Sequence, residues 1–330
     1  MNVAVVGAGA WGTAFSIQLA SKGHSVTLWV YEPELCRAME ETGENTLYLP
    51  GFSLPRGISF TNDPREAVEG ADTIVLATPS FALRSTLTGI ADLISGKRLL
   101  ILTKGLETTT LLTGTQVAEE VLGRTTPLGV LSGPSFALEV ARRLFTSAVA
   151  ASTDKEVSRY FQEMVHDERF RVYTSQDVTG VELGGALKNV MAIGAGIIEG
   201  LHLGYNTLAA YITRALAEIK RLGCKLGARE TTFMGLSGMG DLVLTCTGPL
   251  SRNRQFGVEL AKGRKPEDVI RSQKTVVEGF YTIGAAYEFS RKLAIEMPIT
   301  EELFRVVYEG KDIGASFDDI CRRAIKEEDG

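Results

Sequence analysis

Histidine is nearly absent: His24, His166 and His202 are the three in 330 residues. They are far apart, each reads as structural or solvated, and proton transfer is left to another residue type. Cysteine is scarce as well. Cys36, Cys224, Cys246 and Cys321 form no C-x-x-C pair, which excludes a disulfide framework and a zinc site and fits a reducing compartment. An excess of positive charge is missing, with 35 Lys and Arg against 40 Asp and Glu. A net charge of -5 argues against general nucleic-acid binding while leaving room for a local basic pocket around a small anion. Apolar stretches such as 190–198 fall short of the ~20 residues a membrane span needs. Asn2-Val-Ala-Val-Val6 follows Met1 with no basic segment, so a cleaved leader is not expected. Together these absences point to a cytoplasmic protein with no nucleic-acid partner and no membrane span. Repeats and low-complexity tracts are also missing.

What is present is glycine, 35 residues of it, and a change of rhythm along the chain. The first half alternates β-rich runs at 3–6, 26–30, 73–77, 99–102, 129–131, 147–151 and 170–173 with helix-compatible stretches at 13–21, 81–93, 112–122, 136–141 and 156–165. This alternation predicts a mostly parallel, doubly wound sheet covered on both faces. From about residue 178 the apolar spacing is helical, at 181–198, 208–222, 254–261, 279–290 and 300–307, with Pro298 opening the penultimate helix. The reading is an α/β domain over 1–180 and an all-α domain over 181–330. No flexible linker separates them, so they should pack together around a cleft.

Gly7-Ala-Gly9-Ala-Trp-Gly12 follows the first strand and opens the first helix. Gly7 permits the tight turn, Gly9 lets the backbone approach a pyrophosphate, and Gly12 lets helix and strand pack closely. In a βαβ unit this is a dinucleotide site of the Rossmann type, with helix N–H groups facing the diphosphate. The second strand ends in Val30-Tyr31-Glu32, with no arginine for a 2′-phosphate and an acid two places late, so NAD and NADP both remain open.

Four further segments carry chemistry. Lys104 ends a strand, where ligands of open α/β sheets bind, although a solvated turn lysine would look the same. Ser132-Gly-Pro-Ser135 leaves a strand for a helix, with Pro134 near its first position; it offers N–H groups to an anion, or merely caps. The helix around Glu182-Leu-Gly-Gly-Ala-Leu-Lys188-Asn189 holds Gly184, Gly185, Gly194 and Gly196. Each glycine costs ~1 kcal/mol relative to alanine, so another helix or a ligand must come close. Lys188 among them is desolvated and suited to proton transfer, or else it snorkels to water. Lastly, Asp241 in Gly238-Met-Gly-Asp241 can hold a lysine, and Arg252 with Asn253 in Ser251-Arg-Asn-Arg254 can clasp a phosphate. The alternative is a capped basic helix start, although arginines there oppose the helix dipole.

With these motifs in this order, over essentially all 330 residues, the chain resembles the bacterial NAD(P)-dependent glycerol-3-phosphate dehydrogenases. The matching segments also include Thr103-Lys104-Gly-Leu and Val276-Val-Glu278-Gly. The resemblance implies interconversion of dihydroxyacetone phosphate and sn-glycerol 3-phosphate with NAD or NADP. It makes Lys188 the catalytic acid/base, and it puts Lys104, Gly133, Ser135, Lys188, Asp241, Ser251, Arg252 and Asn253 at the substrate. Gly7, Gly9, Ala10, Trp11, Gly12, Tyr31, Lys104, Ala137, Arg252, Val276 and Glu278 would lie at the cofactor, and Asn189 and Thr245 match further active-site positions. It further implies a cytoplasmic homodimer that supplies phospholipid synthesis. Relatives often carry a basic residue at the position of Tyr31, which puts a strict NADP preference in question.

Two rivals share parts of this pattern. β-Hydroxyacid and 6-phosphogluconate dehydrogenases resemble a Lys-x-x-x-Asn helix, whereas position 192 here is Ala. A silent nucleotide sensor would need only the cofactor half, not Lys104, Lys188, Asp241 and Arg252 together.

Overall fold

The computed structural model describes residues 1–273, 275–325 and 327–328. Eight strands form one sheet: β1 (Asn2–Val6), β2 (Ser25–Trp29), β3 (Ile58–Thr61), β4 (Thr73–Leu76), β5 (Arg98–Ile101), β6 (Leu128–Ser132), β7 (Thr146–Ala151) and β8 (Phe170–Ser175). The order is β3-β2-β1-β4-β5-β6-β7-β8, parallel throughout except where β7 pairs antiparallel with β6. Strand β1 shows why this sheet needs cover on both sides. Val3 and Val5 enter one apolar cluster and Ala4 and Val6 the opposite one, all of them buried.

The connecting helices supply that cover: α1 (Ala10–Ser21), α2 (Pro33–Thr42), α3 (Pro64–Glu69), α4 (Leu83–Ile90), α5 (Gly114–Leu122), α6 (Ala137–Ala141) and α7 (Lys155–Val165). Local chemistry sets their starts. Pro33 and Pro64 occupy first turns, Asp63 and Asp154 accept from N–H groups of α3 and α7, and Thr113 with Gln116 closes a capping box on α5. The 81–93 helix is broken by short 3-10 turns at Ser80–Ala82 and Ala91–Leu93. Strand β3 and helices α2 and α3 lie in a stretch with no sequence expectation.

After Ser175 the described chain is helical: α8 (Val178–Gly200), α9 (Gly204–Lys225), α10 (Glu230–Phe233), a π-helical turn (Leu236–Gly240), α11 (Asp241–Thr247), α12 (Arg252–Ala261), α13 (Pro266–Ser272), α14 (Glu278–Lys292), α15 (Pro298–Tyr308) and α16 (Ile313–Cys321). Helix α8 is the axle of this half, buried from Gly180 to Ile198. It is long and apolar enough to cross a membrane by length and composition, longer than the 190–198 stretch suggested, but the protein encloses it. Its glycines mark close contacts. A Cβ on Gly196 would sit 1.9 Å from the Arg254 carbonyl oxygen, and one on Gly257 of α12 would sit 1.9 Å from that of Ile193. The two helices therefore cross backbone to backbone, which fixes the angle at which α8 presents Lys188.

Candidate active site

Lys188 and Asn189 project from α8 where it crosses the carboxyl ends of β5 and β6. Lys104 follows β5, Gly133 follows β6, and Asp241 opens α11. The π-helical turn brings Asp241 here: glycines let the chain coil tightly, and a Cβ on Gly184 of α8 would lie 2.4 Å from the Ser237 carbonyl oxygen. Asp241 is fully buried between two ammonium groups. Lys188 Nζ donates to its Oδ1 at 2.5 Å and Lys104 Nζ to its Oδ2 at 2.8 Å.

The two lysines differ in what they have left to give. Lys104 also donates to the Gly133 carbonyl at 2.9 Å and reaches Ser135 Oγ at 3.4 Å, so all three of its N–H donors have acceptors. Lys188 donates to Thr245 Oγ1 at 2.9 Å besides Asp241, which leaves it one N–H free. Burial lowers the Lys188 pKa to about 8, reinforced by Lys104 and opposed by Asp241. Burial also presses the Asp241 carboxyl upward, but the two lysines outweigh it and hold the group below its ordinary value. Cys246, buried beside them, is pushed up to about 12 by desolvation and stays a thiol. The cluster is thus an ionised carboxylate gripping one saturated lysine and one lysine poised near neutrality.

Asn189 connects this cluster to the next one. Its Nδ2 donates to the Lys104 carbonyl at 3.0 Å and its Oδ1 accepts from Asn253 Nδ2 at 2.8 Å, so the neighbours Lys188 and Arg252 flank a bonded pair. Asn253 Oδ1 in turn accepts from Gly279 N–H at 2.9 Å. Asn253 thereby joins α8, α12 and α14 through its side chain. Its main-chain N–H and that of Arg252, in the first turn of α12, have no protein acceptor among the described residues. Ser251 caps α12 by accepting from Arg254 N–H. The Arg252 side chain is exposed, yet desolvation by the protein around it lowers its pKa while Glu278 opposes the shift. It has no ion-pair partner among the described residues.

Ser132-Gly-Pro-Ser135 also differs from expectation. Helix α6 starts at Ala137, so Pro134 is not its first residue and Ser135 does not cap it; Ser135 Oγ instead donates to the Gly133 carbonyl at 2.9 Å. Glu278, at the start of α14, accepts from Ser80 N–H at 2.9 Å and from Ser80 Oγ at 2.6 Å. Burial raises its pKa despite Ser80 and Arg252. Val276 is half-buried in the turn before α14.

The glycine turn fits a dinucleotide. Gly7 has φ +119°, and a Cβ there would meet the Ala77 carbonyl at 2.9 Å; one on Gly12 would meet the Gly7 oxygen at 1.9 Å. Around Gly9 a Cβ would find open space, and the N–H groups of Ala10, Trp11 and Gly12 have no protein acceptor among the described residues. The Trp11 Nε1 is buried and unpartnered. These donors at a helix N-terminus, beside the gap between β1 and β4 where the strand order reverses, suit a pyrophosphate. Tyr31, 73% exposed beyond β2, stands edge-on to Trp29. Glu32 accepts from Tyr48 Oη at 2.6 Å. Ala137 is half-buried at the start of α6.

Sequence reasoning missed Ser80, Glu182 and Glu218. Glu182 of α8 accepts from Thr115 N–H at 2.8 Å at the start of α5, tying the helical half to the sheet. Glu218 does the same for Ile299 and Thr300 of α15. Each acid caps a helix remote in sequence, so no local motif announces it. A separate cavity of about 840 Å³ lies among α8, α9, α15 and α16, but none of Lys104, Lys188, Asp241 or Arg252 lines it.

Family models agree with this geometry. Residues 2–158 match the N-terminus, and residues 177–318 the C-terminus, of NAD-dependent glycerol-3-phosphate dehydrogenase. Proteins called glycerol-3-phosphate dehydrogenase [NAD(P)+] from Geobacter metallireducens and Syntrophotalea carbinolica are 48% and 46% identical, covering 100% and 99% of this chain and 99% of each relative. The crystal structure of glycerol-3-phosphate dehydrogenase from Coxiella burnetii superposes with a TM-score of 0.94 at 39% identity, covering 98% of this chain and 99% of that one. With two family models spanning most of its length and relatives this close over nearly all of it, the chain belongs to the NAD-dependent glycerol-3-phosphate dehydrogenase family.

Proposed function

We propose that the chain interconverts dihydroxyacetone phosphate and sn-glycerol 3-phosphate with NAD(P)(H), with Lys188 as the proton carrier. The observation that carries the assignment is the one unfilled N–H of Lys188 between Asp241 and Thr245, against the saturated donors of Lys104. Residues 1–180 form the cofactor unit in this reading, and 181–330 the substrate and catalytic unit.

The guanidinium of Arg252 and the free N–H groups of Arg252 and Asn253 take the phosphate and orient the three-carbon chain. The spare Lys188 N–H donates to the C2 carbonyl oxygen. Bound NAD(P)H supplies the hydride to C2. As C2 accepts that electron pair, Lys188 passes its proton to the oxygen and becomes a neutral amine, so ketone, hydride and proton together give the alcohol. In the reverse direction neutral Lys188 takes the hydroxyl proton. Asp241 stays ionised throughout and keeps the amine aimed. Lys104, Gly133, Ser135 and Ser251 complete the substrate wall. Gly7, Gly9, Ala10, Trp11, Gly12, Tyr31, Ala137, Val276 and Glu278, with Lys104 and Arg252, face the dinucleotide. Family resemblance adds a cytoplasmic homodimer feeding phospholipid synthesis. Reduction of dihydroxyacetone phosphate with NADH and with NADPH tests the reading, and no turnover with either would overturn it.

A further inference from the structure

Arg252 has no ion-pair partner among the described residues even though a half-buried carboxylate, Glu278, lies close by: Gly279, its chain neighbour, donates to Asn253, the neighbour of Arg252. A carboxylate partly withdrawn from water seeks the nearest cation unless other donors satisfy it. Ser80 supplies those donors, its N–H to one oxygen and its hydroxyl to the other, from the 3-10 turn that follows β4. Ser80 is itself 4% exposed, and Gly105 packs against the pair so tightly that a Cβ there would lie 2.7 Å from Glu278 Oε2 and 2.8 Å from Ser80 Oγ. Beside them the rings of Phe81 and Tyr281 meet 5.5 Å apart. The carboxylate is therefore clamped from the sheet side, across the junction of the two halves of the protein.

We propose that Ser80 is a positioning residue that sets selectivity for a phosphorylated substrate: by occupying both oxygens of Glu278 it keeps that carboxylate from neutralising Arg252. The inference rests on the reading that Arg252 grips the phosphate. With the hydroxyl removed, one oxygen of Glu278 loses its donor and turns to the guanidinium, and the substrate's anionic end then meets a cation already paired.

The experiment compares kcat/KM for dihydroxyacetone phosphate with that for unphosphorylated dihydroxyacetone. For Ser80→Ala we expect the ratio to fall about tenfold, the equivalent of one charge-assisted hydrogen bond, through KM and with kcat within about twofold. Ser80→Thr keeps the hydroxyl and should keep the ratio. In a Glu278→Gln background Ser80→Ala should leave the ratio unchanged, since no carboxylate remains to turn. A general loosening of the junction would lower both substrates alike and leave the ratio intact, which would overturn the proposal, as would an equal fall in the Glu278→Gln background. Arg252→Ala separates the two layers of inference. If it leaves the ratio unchanged, the phosphate reading itself is wrong; if it collapses the ratio while Ser80→Ala does not, only the role of Ser80 is.

Discussion

Replacing Asp241 by Asn keeps the shape of the cluster and deletes the charge that Lys188 and Lys104 share at 2.5 and 2.8 Å. If both ammonium groups stayed charged, the loss of a buried counter-ion would cost about 3–5 kcal/mol. Lys188 has an easier route. Its pKa is about 8, so releasing its proton at pH 7 costs about 1.4 kcal/mol, the equivalent of one pKa unit. The variant should therefore shed that proton. Removing an adjacent opposite charge lowers an amine pKa by about two units, to about 6. Ketone reduction needs the ammonium form, so its rate declines as pH rises through the Lys188 pKa; alcohol oxidation needs the amine, so its rate climbs through the same value. Both limbs should move from about pH 8 in the wild type to about pH 6 in Asp241→Asn, and deprotonation alone should cut reduction at pH 7 about tenfold. The assay is kcat in both directions from about pH 5 to pH 10, at saturating cofactor. Limbs that stay near pH 8, or that move upward, would refute the reasoning.

The other perturbations address binding, preference and stability. A Cβ on Gly12 would stand 1.9 Å from the Gly7 carbonyl, so Gly12→Ala should weaken NAD(P)H binding by about a hundredfold or more in a fluorescence titration; an unchanged Kd would contradict the turn's role. Tyr31→Arg should raise kcat/KM with NADPH relative to NADH about tenfold through a bond to the 2′-phosphate, and an unmoved ratio would place that group elsewhere. Burial lifts Glu218 from 4.5 to about 7, so the folded state binds the extra proton between those values. Stability should accordingly fall as pH rises from 4.5 to about 7, by about 3 kcal/mol from this group. Glu218→Gln should flatten that slope in melting curves taken across the interval, and parallel wild-type and variant slopes would argue against it.

What the sequence made legible was local. The alternation Val3-Ala-Val5-Val6 and the glycines at 7, 9 and 12 announce a strand, a turn and a helix within one short segment, and all three are present. Strand β3 escaped because Ile58–Thr61 is a partly exposed edge strand interrupted by Ser59, whereas the equally short β4 and β5 are nearly continuous apolar runs. The segment Gly238-Met-Gly-Asp241 carried no structural expectation, and the chain coils there through a π-helical turn that delivers Asp241. An aspartate holding Lys188 was foreseeable from residue types. That Lys104 shares the same carboxylate was not, because the contact spans 137 positions. The Asn253–Asn189 bond was hidden in the same way, because it joins α12 to α8 across 64 positions.

The most direct measurement is single-turnover reduction by Lys188→Ala, with cofactor affinity determined on the same preparation. The expected result is loss of reduction by about a thousandfold or more, NAD(P)H binding within about twofold of wild type, and partial recovery on adding a small primary amine. Near-normal reduction by this variant would contradict the assignment of the proton to the α8 lysine.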